Sequence, residues 1–173
     1  RDFQTLDVMN NTLVDNINSK VGQNDTLIML GDIAFGGFEF IKIFLDRLVC
    51  KNIHLVLGNH DHHIRNNRDN IKDMFLSVSD YLQVNIDGQN FVMTHYPFAS
   101  WNGLGKGVVH LHGHVHLPVG KKWGKGKRLD VGVDGNGLYP YSITEIVHMM
   151  DKRMVMSEIN EDHHLDDIVN VVG

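Results

Sequence analysis

Leu27-Ile28-Met29-Leu30 is a continuous apolar run, too short for a helix, that stops at Gly31-Asp32. It predicts a buried strand over residues 26–30. Helical spacing follows through Phe38, Ile41, Leu45 and Leu48 and predicts a helix over 38–49; residues 53–57 give the next strand. Strand, helix and strand in that order make a parallel βαβ unit. In such sheets ligands gather outside the carboxyl ends of the strands, where Asp32 and Asn59 fall.

The rest of the chain is consistent with one α/β domain over residues 1–173. Thr5 can cap a helix to about Lys20 with an apolar stripe of Leu6, Met9, Leu13 and Ile17, and Gly22 ends it. A weaker helix is expected over 70–76. Strands over 81–86 and 91–94 flank Asp87-Gly88, a hairpin signal, with Gln89 and Asn90 as candidates to lengthen the loop. Further strands are expected over 108–112, 128–133 and 153–159. Ser142-Ile143-Thr144-Glu145 reads as a capping box that opens a helix to about Met150.

Composition narrows the functional classes. An apolar fraction of 42% and a charged fraction of 21% describe an ordinary globular protein. No apolar run approaches a membrane span, so no membrane partner is expected, and the first residues carry no signal-peptide pattern. The formal charge of −5 argues against general nucleic-acid coating, although nucleic acid stays open as a partner. Cys50 stands alone, which excludes an internal disulfide and fits a reducing cytoplasm.

The chain holds 12 histidines, and their placement matters more than their number. Gly113-His114-Val115-His116 puts two imidazoles at alternate positions of what reads as an extended segment, so both should point to one side. His110 and His112 share that side if the strand is regular. Gly31-Asp32, Gly58-Asn59-His60-Asp61 and Thr94-His95 sit at three other strand ends. Taken singly, a Gly-Asp is a turn and an Asn-His-Asp a capped turn. Four such strand ends together describe one site assembled from several loops.

The residue types suit divalent metal. Asp32 offers a carboxylate able to bridge two cations, Asn59 a neutral carbonyl oxygen, and His95, His114 and His116 imidazole nitrogens suited to zinc, iron, nickel or manganese. Two metals sharing a hydroxide lower the pKa of water from ~15.7 towards ~7 and clamp a phosphoryl oxygen. His60, beside a proposed ligand, can donate a proton to a leaving group.

This ordered series resembles the calcineurin-like metallophosphoesterase superfamily, with motif order and spacing agreeing over about residues 27–116 and an ending like that of its small bacterial and phage members. The resemblance implies a four-layer α/β/β/α sandwich with a dinuclear metal centre. It implies that Asp32 bridges the metals, that Asn59, His95 and His114 bind the second, and that His116 belongs to the first. His60 would be the proton donor or transition-state stabiliser, with Asp61 orienting it. The implied activity is hydrolysis of a phosphomonoester or phosphodiester by a metal-bound hydroxide, on a small phosphorylated or nucleotide-like substrate. The alternatives are a non-catalytic scaffold of the same fold, or a single-metal hydrolase of another family.

Other features have competing readings. The basic run from Lys121 to Arg128 reads as a solvated hairpin loop, with attraction of an anionic substrate as the alternative. Trp101 either walls the substrate site or packs on the sheet. His54, mid-strand, reads as a core histidine, while His62, His63 and Arg65 read as exposed turn residues.

The superfamily opens with an Asp-x-His motif, and nothing ahead of Asp32 supplies it. The expectation is a sequence without its native N-terminal strand. The second metal site then keeps Asp32, Asn59, His95 and His114, while the first keeps only Asp32 and His116. Metal titration of this chain is therefore expected to show one tight ion and a weak or absent second. Two tight ions would contradict that.

Overall fold

The α-helices begin where the sequence supplies caps. In the computed structural model, which describes residues 5–33, 37–67, 73–117 and 126–156, Thr5 accepts the Val8 N–H (3.2 Å) and opens α1 (Leu6–Lys20). The stripe that faces the core is rotated from the expected one: Val14 and Ile17 are buried, whereas Leu6 is exposed. α2 (Phe38–Asp46) ends earlier than its apolar spacing suggests. Its last carbonyls are taken by the Lys51 ammonium, 2.8 Å from Leu45 O and 3.1 Å from Asp46 O, and Leu48 is buried from the turn beyond.

Two parallel pairings organise the first sheet. β1 (Thr26–Met29) and β2 (Asn52–Val56) run parallel with Leu27 opposite Ile53, as the βαβ reading requires. β3 (Ser77–Ser79) adds to the other edge of β2, giving the order β1-β2-β3. Between β2 and β3 lies α3 (His62–Asn66), anchored by the fully buried Ile64. The helix expected over 70–76 is corrected in part: residues 70–72 lie outside the described residues, and 73–76 form a turn without helix. Leu76 already donates to Ile53 O (2.7 Å), so the chain is joining the sheet where the helix was expected. His54 is half-buried, with Nδ1 2.6 Å from Ser77 Oγ on β3.

The second sheet is mixed and ordered β4 (Leu82–Ile86), β5 (Gln89–Met93), β6 (Val109–His112), β7 (Arg128–Asp130). β4 and β5 form the hairpin, closed by Asp87 and Gly88 at φ 49° and 87°. Gln89 and Asn90 pair with Ile86 and Asn85, so the loop is two residues long. β5, β6 and β7 run parallel. The strand expected over 153–159 does not form over residues 153–156, where the Arg153 guanidinium instead donates to Arg128 O (2.6 Å); residues 157–159 lie outside the described residues.

Alternation sorts the side chains into layers. Leu27, Ile53 and Leu55 meet α1 and α2 on the outer face of the first sheet. Ile28 and Val56, on its inner face, join Phe91, Met93, Val109 and Leu111 of the second sheet. The result is the α/β sandwich of stacked sheets that the sequence implied. α4 (Ile143–Asp151) adds Ile146 and Met150 to the core between the sheets. Its capping box is formed: Ser142 N–H donates to Glu145 Oε2 (2.7 Å) and Glu145 N–H to Ser142 Oγ (3.2 Å). Lys20 at the end of α1 reaches the same carboxylate at 2.8 Å, and this hydrogen bond, with that of the Ser142 N–H, holds the Glu145 carboxyl below its ordinary range. The outer face of the second sheet carries Val92, covered by Trp101 and Val108. Trp101 is buried there and donates from Nε1 to Val108 O (2.9 Å), so it packs on the sheet.

Candidate metal centre

Four parallel strands, β1, β2, β5 and β6, end in the loops that carry Asp32, Asn59 to Asp61, His95 and His114. The first two loops are drawn together by one carboxylate. Asp61, 1% exposed, accepts the N–H groups of Asp32 (2.8 Å) and Gly58 (2.8 Å) on one oxygen and that of Ile33 (3.1 Å) on the other. These bonds give Asp61 a visible task in holding loops, beside the expected one of orienting His60. The approach is close because no side chain stands between the loops. A Cβ on Gly31 would lie 2.5 Å from Gly58 N, and one on Gly58 would lie 2.3 Å from Asp32 Oδ1.

The buried His95 is the centre of the cluster. Its Nδ1 lies 2.7 Å from Leu30 O, a carbonyl that can only accept, so Nδ1 carries the proton and Nε2 of the neutral ring keeps a lone pair. Around that Nε2 stand Asn59 Oδ1 (2.9 Å), His114 Nδ1 (3.2 Å) and Asp32 Oδ2 (3.3 Å). One ligand atom from each of Asp32, His95 and His114 lies within 4.8 Å of the others. With Nδ1 of His95 protonated, its Nε2, Asn59 Oδ1 and Asp32 Oδ2 are all acceptors, and a cation among them would relieve their repulsion, with His114 Nδ1 as a further ligand in the tautomer that leaves it unprotonated. A carboxylate, an amide oxygen and two imidazoles fit manganese, iron, zinc or nickel. The other Asp32 oxygen accepts the His60 N–H (2.8 Å), which fixes the backbone of His60 against the cluster.

Gly113 to His116 behave differently from the expected strand. β6 stops at His112, and His114 and His116 have left-handed backbones at φ 68° and 48°. Alternation therefore does not apply to them, and they reach different places. His114 turns to His95, their rings 5.0 Å apart, whereas Nδ1 of His116 lies 2.6 Å from Asp134 Oδ2. Among the described residues, His116 is outside the Asp32–His95–His114 group. Asp130 holds this loop by accepting the Leu117 N–H (3.0 Å).

His110 and His112, within the strand, are fully buried. Burial pushes the His110 imidazole down to about 4, with the nearby His112 and Arg128 adding to the shift, and lowers His112 as well. Neutral His110 joins two segments: Nδ1–H donates to Val92 O (3.2 Å) and Nε2 accepts the Phe98 N–H (3.0 Å).

Residue type alone gave no signal for two other participants. Tyr96 sets its ring edge-on to both imidazoles, 5.0 Å from His95 and 4.6 Å from His114. Asp134, from a 3-10 turn (Val133–Asn136), partners His116. His62, His63 and Arg65, expected in a turn, all lie within α3, with Arg65 paired to Asp80 at 2.5 Å. Of the basic run, residues 121–125 lie outside the described residues; Arg128 is buried on β7.

A family model for calcineurin-like phosphoesterases matches residues 5–148. The chain belongs to that family. It is 27% identical over 168 residues to the Gene 66 protein of Mycobacterium phage D29, covering 82% of this chain and 80% of that protein. It is 27% identical over 165 residues to the uncharacterised protein MJ1445 of Methanocaldococcus jannaschii, covering 93% of this chain and 86% of that one. Among solved structures, the protein of unknown function AQ665 from Aquifex aeolicus shares the fold, with a TM-score of 0.65 at 22% identity over 85% of this chain and 86% of that chain. Among the described residues, no helix is long and apolar enough to cross a membrane.

The glycine contact yields a direct test. Gly58→Ala must displace the Asp32 carboxylate, and manganese affinity measured by calorimetry is expected to fall by about 10- to 100-fold. Unchanged affinity would show that the loops do not depend on this approach.

Proposed function

We propose that this phosphoesterase hydrolyses a small phosphorylated or nucleotide-like ester at a divalent cation held by Asp32, Asn59, His95 and His114. The observation that carries the reading is the convergence of three potential ligand atoms, Asn59 Oδ1, His114 Nδ1 and Asp32 Oδ2, on His95 Nε2, beside a cleft that Asn59 and His95 also line. When bound, such a cation polarises a phosphoryl oxygen and lowers the pKa of water.

The chain's own residues divide the remaining work. Leu30 O fixes the His95 tautomer, so Nε2 is presented without a proton. Asp61 holds Asp32 and Gly58 in place, so the ligand atoms are set before substrate arrives. His60, exposed at the mouth of the cluster, is the proton donor to the leaving oxygen in this reading. His116, turned to Asp134, is set apart for a second cation or for the substrate phosphate.

Hydrolysis of bis-p-nitrophenyl phosphate after chelation and manganese return tests the reading. Activity should disappear with the metal and return with it, and should be lost in Asp32→Asn. His60→Ala is expected to lower kcat by about 10²–10⁴-fold with manganese affinity kept. Tight metal binding without hydrolysis of any phosphoester would favour the scaffold. Full activity in His60→Ala would remove His60 from the reaction.

A further inference from the structure

Beside the cation cluster lies a cleft of about 430 Å³, within the range of small-molecule sites. Its lining includes Asn59 and His95, so it adjoins two of the four residues of the cluster. Tyr96 and Phe98 form one wall. We propose that this cleft is a leaving-group pocket for a flat, uncharged ring, an aryl or nucleoside group esterified to the phosphate. The proposal rests on the phosphoesterase reading and goes beyond it by assigning a ligand class to the cleft.

The wall is built in advance. Tyr96 is fixed by its edge contacts with His95 and His114, yet 45% of it stays exposed. The Phe98 ring stacks on His110, 5.4 Å away and tilted by only 27°. Its main chain is held at both ends: the N–H donates to His110 Nε2 (3.0 Å) and the carbonyl accepts from the Arg128 guanidinium (2.5 Å). His110 and Arg128 are direct partners across β6 and β7, so the clamp is part of the sheet. A surface already in place loses little entropy when a ring settles on it.

Charge selects against other occupants. Among the described residues lining the cleft, Arg65 is the one arginine or lysine, and its guanidinium is already paired with the Asp80 carboxylate, which also lines the cleft, at 2.5 Å. A leaving group that carried further phosphate would have to compete with Asp80 for Arg65 and would be repelled by that carboxylate. A planar uncharged group meets aromatic faces instead, which favour any ring. Nucleoside and simple aryl esters share that chemistry, and the two are separable by experiment.

The test is binding, measured by calorimetry on the manganese-loaded chain with three compounds whose C–P bond cannot be hydrolysed: methylphosphonate, phenylphosphonate and a nucleoside 5′-methylenephosphonate. The ring-bearing compounds are expected to bind about tenfold tighter than methylphosphonate, the scale of aromatic stacking. Tighter binding of the nucleoside compound assigns the pocket to nucleosides, and of the phenyl compound to aryl esters. Phe98→Ala should reduce the preference and Phe98→Tyr should keep it, but the wild-type comparison decides without any variant. Equal affinity for all three compounds, or no binding of the ring-bearing pair, overturns the proposal. Because no turnover is needed, a ring preference without hydrolysis would refute the phosphoesterase reading alone, and hydrolysis without a preference would refute the pocket alone.

Discussion

One buried carboxylate sets the geometry on which the cluster depends. Asp61 is surrounded by main-chain N–H groups from two loops and accepts three of them, so the ends of β1 and β2 are held in register beyond the sheet. Hydrogen bonds to a charged group contribute roughly 1.5–3 kcal/mol each. The close approach they enforce is possible because Gly31 and Gly58 place no side chain between the loops. Asp32 then faces His95 from one sheet to the other, and the two stacked sheets become one site.

The backbone at the ligands is the second constraint. Asp32, His114 and His116 all have positive φ, a conformation that costs on the order of 1–3 kcal/mol per residue without glycine. Such positions persist where the surroundings determine them. Here the Asp32 N–H is held by Asp61, the Gly113 N–H by His95 O, and the Leu117 N–H by Asp130. The same turns that carry this strain aim His114 at His95 and His116 at Asp134.

Much of the frame was legible because its signals are local and redundant. The Thr5 cap, the Asp87-Gly88 turn and the Ser142–Glu145 box each specify a backbone conformation by hydrogen bonding or steric freedom within four residues. The runs ending at Leu30 and Leu57 specify strands by apolar patterning. β3 was not legible, since Ser77-Val78-Ser79 has no pattern of its own and is a strand only because β2 offers an edge. α3 depends on a single buried side chain, Ile64. Within the site, residue types and loop order marked Asp32, Asn59, His95 and His114, which the structure brings together. The direction of His114 and His116 was misread, because periodicity holds only while the chain stays extended and β6 ends at His112. Tyr96 and Asp134 become visible only when distant loops meet.

Every role given to the strand-end loops depends on the atoms around His95 Nε2 forming a cation site. Crystals of this chain soaked in manganese, with diffraction collected at a wavelength where the metal scatters anomalously, test that claim most directly. The predicted result is a peak in contact with Asp32, Asn59, His95 and His114. An empty cluster at saturating manganese, or a peak bound away from His95, would contradict it.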